Sequence, residues 1–186
     1  FRDTEMTLLV LDDRDKTKRH YMFNLLGVEY VGTPFHWLNI PSMLFIGIIL
    51  SYVLVPLDNL AGQITTGIGF GILIMIAMFL HGIGHIISSR MVDAPVKRII
   101  MTMTVNYLDY GEEGELPSHI HIGRSIGGPI MNIMLGLLSF AIYGLGENSY
   151  FILFFGAINV LIAVVTILPF PSLDGSVILR ELRNWK

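Results

Sequence analysis

Two histidines stand four residues apart in the apolar stretch MFLHGIGHIISSR, which covers residues 78–90. On a helix, His81 and His85 lie one turn apart on one face, so their imidazoles can share a metal ion. In hydrolytic zinc sites with this spacing, a glutamate usually follows the first histidine. Here that position is Gly82, which has no side chain to accept a proton. The pair alone fits a metal site, histidines that hydrogen-bond between helices, or ligands of a haem or pigment.

A carboxylate near the end of the chain is a candidate third ligand. Asp174 follows Pro169 and Pro171 in LPFPSLDGS, and these prolines are expected to break a helix and let the carboxylate turn inward. A carboxylate among apolar segments is costly unless it is paired or bound. Two histidines and one carboxylate give three ligands and leave a tetrahedral zinc ion its fourth position for water. The alternative for Asp174 alone is a helix cap.

The elements that must position these residues are predicted to cross a membrane. Of the 186 residues, 53% are hydrophobic and 15% are charged. Four stretches contain no formally charged residue, and each exceeds the roughly 20 residues that span a bilayer core. These stretches are 30–57, 59–89, 125–146 and 148–173. The sequence predicts an all-α membrane protein with four transmembrane helices, a cytosolic segment at 1–30 and a transmembrane domain at 31–186.

A strand pattern follows the second predicted helix. Apolar and polar residues alternate from Arg98 to Tyr107, which is the period of a β-strand. We expect a short β segment there, at the membrane surface beside the site.

The basic residues predict the orientation of the helices. All 12 lysines and arginines precede helix one, connect helices two and three, or follow helix four. Because basic residues collect in cytoplasmic loops, both termini and the central loop are expected to face the cytosol, or the stroma or matrix of an organelle. With no basic arm and no RNA-binding motif, nothing indicates a nucleic-acid partner. The absence of cysteine excludes disulfides and thiolate ligands.

Three short motifs, in order, resemble the site-2 protease family of intramembrane zinc metalloproteases. The family pattern is H-E-x-G-H on one core helix, G-P-x-x-N on the next and L-D-G on a third. The chain has HGIGH at 81–85, GGPIMN at 127–132 and LDG at 173–175. The resemblance covers residues 70–182 and implies a three-helix core like that of the family.

The resemblance also implies roles for individual residues. His81, His85 and Asp174 match the zinc ligands of the family. Asn132 matches an asparagine that holds the substrate backbone near the metal, although a hydrogen bond between helices is an equal alternative. Gly82 replaces the general-base glutamate, and general-base catalysis contributes roughly 10² to 10⁴ in rate. The rate of proteolysis is therefore expected to be strongly reduced.

Three functions remain open from the sequence. The first is a pseudoprotease that keeps the metal site and binds or regulates membrane proteins. The second is a structural subunit of a larger membrane complex. The third is an active intramembrane protease with a substituted base, for which the nearby candidates are His119, His121, Glu112, Glu113 and Glu115.

Overall fold

The computed structural model describes residues 19–55, 57–103, 106–111, 116–146 and 149–185. Among these residues, four helices are long and apolar enough to cross a membrane, which confirms the predicted transmembrane architecture. They are α1 (Asn39–Leu54) together with the 3₁₀ turn His36–Leu38 before it, α2 (Leu60–Met91), α3 (Ser118–Gly144) and α4 (Tyr150–Ile167). With 32 residues, α2 is about 48 Å long. This exceeds the thickness of a hydrocarbon core, so α2 must tilt or extend beyond it.

The helix boundaries differ from the ends of the charge-free stretches, for example at the start of α3 and the end of α4. α3 begins at Ser118, so Arg124 lies inside this helix and not in the loop that precedes it. Its side chain is buried, and one guanidinium nitrogen lies 3.4 Å from Nδ1 of His121 in the same helix. α4 ends at Ile167, before Pro169 and Pro171, as the prolines predicted. A fifth helix, α5 (Asp174–Arg183), follows.

A small sheet accompanies the helices. Its strands are β1 (His20–Leu25), β2 (Val28–Gly32), β3 (Arg98–Met101) and β4 (Tyr107–Asp109). The order is β1-β2-β3-β4, in which β2 and β3 are parallel and the other two pairs are antiparallel. Leu26 and Gly27, both with positive φ, form the two-residue turn between β1 and β2, as tight hairpins require.

The β segment predicted over 98–107 is confirmed, although it consists of two strands. The residues form two strands, and β4 folds back antiparallel on β3, with an ion pair of 3.1 Å between Arg98 Nε and Asp109 Oδ2. Burial does not alternate along β3, because the successive residues Ile99 and Ile100 are both buried. The alternating pattern therefore ran across a reversal of the chain.

The chain divides into two compact units. The described residues up to Pro41 and those in Val96–Gly111 form the sheet unit, while Ser42–Pro95 and the described residues after Gly111 form the helical unit. The boundary predicted at residue 30 stays a prediction. In the sheet unit, the buried residues include Val28, Tyr30 and Ile99.

Small residues let the helices of the helical unit approach closely. A Cβ at Gly84 of α2 would overlap the backbone of Gly127 in α3, and a Cβ at Gly47 of α1 would overlap that of Gly71 in α2. Close backbone contact of this kind drives helix association in lipid. Elsewhere Phe70 of α2 stacks on Phe154 of α4, with ring centroids 3.8 Å apart. These contacts fix α2 against the helices that carry the other site residues.

Candidate metal centre

The two histidines of α2 point their Nε2 atoms at one another. The distance between His81 Nε2 and His85 Nε2 is 3.0 Å, and the rings are nearly perpendicular. The spacing of four residues places both side chains on one face of α2, as the sequence predicted. His85 is buried, while His81 is partly buried.

Each histidine holds its other ring nitrogen against an oxygen acceptor of α3. Nδ1 of His81 lies 2.5 Å from Oδ1 of Asn132, and Nδ1 of His85 lies 2.9 Å from the backbone carbonyl of Arg124. Because these oxygens only accept hydrogen bonds, each Nδ1 carries a proton. In the neutral form of such a ring, Nε2 presents a lone pair, which is the arrangement found at metal-ligating histidines.

Asp174 completes the group from the first turn of α5. Its Oδ2 lies 3.3 Å from Nε2 of His81, and its Oδ1 lies 3.3 Å from Nε2 of His85. Because both carboxylate oxygens face the imidazoles, Asp174 is a ligand candidate rather than a helix cap directed at water.

The turn between α4 and α5 places the Asp174 carboxylate next to the histidines. Ser172 has a φ of 69°, a conformation that reverses the chain at a cost. A Cβ at Gly175 would overlap the carbonyl of Ile167, the last residue of α4. Glycine at 175 is therefore required for α5 to start against the end of α4.

A buried acid fixes the far end of α5. Glu181 is 9% exposed and accepts hydrogen bonds from Arg180 and from the Ser118 side chain at the start of α3. Although desolvation acts to raise the pKa of Glu181, these bonds and the charges of Arg180 and His121 hold it below the usual value. The contact with α3 sets the direction of α5 and so the position of Asp174.

The three side chains fit a tetrahedral cation. With Zn–N distances of 2.0–2.1 Å, two ligand atoms of a tetrahedral zinc site lie about 3.3 Å apart. The observed separations among His81, His85 and Asp174 are 3.0, 3.3 and 3.3 Å. In the described part of the chain, these three residues are the group of ligating side chains that could hold a metal ion. The Nε2 atoms of both imidazoles face the Asp174 carboxylate, so neither nitrogen has room for the flat ring of a haem or pigment. This counts against a haem or pigment ligand.

Gly128 of α3 makes room for this convergence. A Cβ there would overlap the Nε2 atoms of both His81 and His85. The sequence placed Gly128 in the G-P-x-x-N motif but did not reveal this contact, because the contact depends on how α3 packs against α2.

Replacing Gly128 with alanine is expected to destabilise the protein by about 1–3 kcal/mol, the usual cost of overpacking, and to displace the imidazoles. The matched control is Gly144→Ala in the same helix, where no described atom lies within 4 Å of the added Cβ; a helical alanine is favoured there by up to about 1 kcal/mol. Thermal unfolding in detergent distinguishes them. Equal stability of the two variants would contradict the packing described.

Two asparagines lie behind His81. Asn132 is fully buried, and its Nδ2 donates to Oδ1 of Asn159 at 2.7 Å and to the Ala77 carbonyl at 3.3 Å. These contacts match the interhelical alternative for Asn132, and its role in substrate binding stays a prediction. Sequence reasoning missed Asn159; the available signal was an amide within an uninterrupted apolar run.

The glycine at the position of the family's glutamate lies directly beside the three side chains. Gly82 is partly buried in the interior of α2, one residue after His81. Of the candidate substitutes, His119 is exposed in the first turn of α3. His121 directs Nδ1 toward the Arg124 guanidinium at 3.4 Å. Neither belongs to the group of three. Glu112, Glu113 and Glu115 lie outside the described residues.

The fold is similar to that of a solved protease. Comparison with the Site-2 Protease from Methanocaldococcus jannaschii gives a TM-score of 0.63 at 16% sequence identity, and it covers 89% of this chain and 72% of that chain. At this identity, the likeness establishes a site-2-protease-like fold. No family model matches the sequence, and no curated protein matches it.

Proposed function

We propose that this membrane protein is a site-2-protease-like pseudoprotease. In this proposal, His81, His85 and Asp174 bind one zinc ion, and peptide bonds are not cleaved at a useful rate. The protein instead binds or regulates other membrane proteins. The observation that carries the proposal is the close approach of the ligand atoms of His81, His85 and Asp174. Beside them, Gly82 takes the position of the family's general-base glutamate.

The surrounding residues support a metal site more than a purely structural hydrogen-bond cluster. Two neutral imidazoles would face each other with Nε2 lone pairs 3.0 Å apart, and Asp174 adds negative charge at 3.3 Å from both. Such acceptors repel one another unless a cation or proton lies among them. Zinc is favoured over magnesium or calcium, because two of the three ligand atoms are imidazole nitrogens.

The same residues explain why the site is not expected to hydrolyse peptides. Zinc, when bound, supplies a Lewis acid that lowers the pKa of a coordinated water to about 7. The protein must then provide a group that accepts and returns the proton during attack on the peptide carbonyl. Gly82 provides none. The Nδ1 atoms of His81 and His85 are already hydrogen-bonded, and Asp174 faces both imidazoles. None of the three therefore replaces the base.

The proposal is tested by measuring zinc content and proteolysis on one preparation. Wild-type protein purified in mild detergent is expected to retain about one zinc ion per chain and to leave a single-span membrane substrate uncut. Co-purification of that substrate would support a role in binding. Chelator-sensitive cleavage by the wild type would show that the protein is a protease with a substitute base. Purification without zinc would favour a structural subunit.

We further propose that both termini and the central loop face the cytosol, stroma or matrix. A cysteine at Asp58, in the connection between α1 and α2, should react with an impermeant reagent from the opposite side only. Asp58 is exposed and suits this better than Asn59, whose side chain caps α2. A cysteine at the exposed Asn184 is the control for the other side. Because the chain has no native cysteine, labelling is unambiguous. The reverse pattern would overturn the orientation.

A further inference from the structure

The hydrogen bonds behind His81 form a directed series from α4 to the metal centre. Nδ2 of Asn159 donates to the Phe155 carbonyl of its own helix at 2.8 Å, which leaves Oδ1 to accept from Nδ2 of Asn132 at 2.7 Å. Oδ1 of Asn132 then faces Nδ1 of His81. The direction of each bond is set by the one before it, starting from a backbone carbonyl.

The direction matters because an amide can present either of its two ends. If Asn132 were reversed, its NH₂ would face Nδ1 of His81, and Nδ1 would have to accept. The proton of the neutral ring would then move to Nε2, the atom that faces His85 and Asp174. A protonated Nε2 cannot ligate a metal. The orientation of Asn132 therefore decides whether His81 is a ligand.

No described neighbour replaces Asn159 equally well in setting this orientation. The second acceptor for Asn132, the Ala77 carbonyl, lies at 3.3 Å, so its hydrogen bond is longer and weaker. Both asparagines are 0% exposed, and within an apolar helix bundle water does not substitute for a lost partner. His85 differs, since its Nδ1 faces the backbone carbonyl of Arg124, which no side-chain substitution removes.

We propose that Asn159 is a positioning residue that acts through Asn132 to fix the tautomer of His81, with Nδ1 protonated and Nε2 free to bind the metal. This inference rests on the proposed function, because the tautomer of His81 matters if its Nε2 binds zinc. It predicts an asymmetric centre, in which His85 is preset by backbone and His81 depends on a side chain of another helix.

The test compares Asn159→Val with Asn159→Thr, which have nearly the same shape. The threonine hydroxyl can donate to the Phe155 carbonyl, as hydroxyls in helices do, and can accept from Asn132; valine can do neither. Nitrogen-15 NMR of histidine-labelled, metal-free protein reports the tautomer of each ring, and the signals are assigned by their loss in His81→Gln and His85→Gln. The valine variant should show His81 with Nε2 protonated in part, while His85 is unchanged. Threonine should restore the wild-type tautomer.

Zinc affinity is measured in parallel by competition with a chelator. The valine variant should bind zinc about 10- to 100-fold more weakly, as is typical when a partner behind a ligand is lost, and threonine should recover most of the loss. The matched control is Ser139→Ala, which removes a buried hydroxyl of α3 that donates within its own helix, to the Leu135 carbonyl. It should change neither readout.

Two outcomes separate this inference from the proposed function. If His81 keeps Nδ1 protonated in folded Asn159→Val, the inference is wrong, whatever the zinc content. If the wild type binds no zinc but its His81 tautomer shifts in the valine variant, the positioning role stands and the zinc proposal fails. Should the valine variant not fold, the smaller pair Asn159→Ala and Asn159→Ser is compared in the same way.

Discussion

Replacing Gly82 with glutamate is expected to confer chelator-sensitive cleavage of a single-span membrane substrate. The rate should rise by roughly 10² to 10⁴, which is what a positioned general base supplies. The substitution restores the H-E-x-G-H pattern beside His81, on the helix that already presents both imidazoles. It should not strain the backbone, because glutamate favours a helix interior over glycine by up to about 1 kcal/mol.

The matched control for this prediction is Gly82→Gln, which has nearly the same size and helix propensity but cannot accept the proton. It should remain inactive. Adding His85→Ala to the glutamate variant should abolish cleavage. If the glutamate variant binds zinc yet cuts nothing, the protein has also lost the geometry that admits a substrate, and a structural role in a larger complex becomes the better account.

The second large effect is expected at Asp174. The isosteric change Asp174→Asn removes the anionic ligand, and it should weaken zinc binding by more than the 10- to 100-fold typical of losing a partner behind a ligand. Metal content after dialysis against a weak chelator measures this. The control is Asp58→Asn, an exposed acid in the connection between α1 and α2. If Asp174→Asn retains as much zinc as Asp58→Asn, Asp174 is not a ligand.

The sequence was most informative where one physical constraint acts along the chain. A bilayer requires long apolar segments, so the charge-free stretches predicted α1 to α4. A helix places residues four apart on one face, so the spacing of His81 and His85 was enough to pair them. Two prolines predicted the end of α4 and drew attention to Asp174. Each of these signals is local and needs no knowledge of packing.

The remaining features depend on contacts between distant segments. β2 pairs with β3 across about 70 residues, and no local pattern reveals such a partner. The requirement for glycine at 128 arises because α3 crosses α2 at the imidazoles. Asn159 gains its role only once α4 lies beside α3. Orientation in the membrane and the boundary at residue 30 stay predictions, since they concern the bilayer and the domain organisation.

X-ray absorption spectroscopy at the zinc edge of purified wild-type protein tests the central claim most directly. We predict a stoichiometric zinc ion with two imidazole nitrogens at about 2.0–2.1 Å and low-atomic-number oxygen ligands at about 2.0–2.2 Å. In His85→Ala, either the imidazole signal should be reduced or the zinc should be lost. A preparation without zinc, or a zinc spectrum that is the same in wild type and in His85→Ala, would contradict the assignment of His81, His85 and Asp174 as a metal centre.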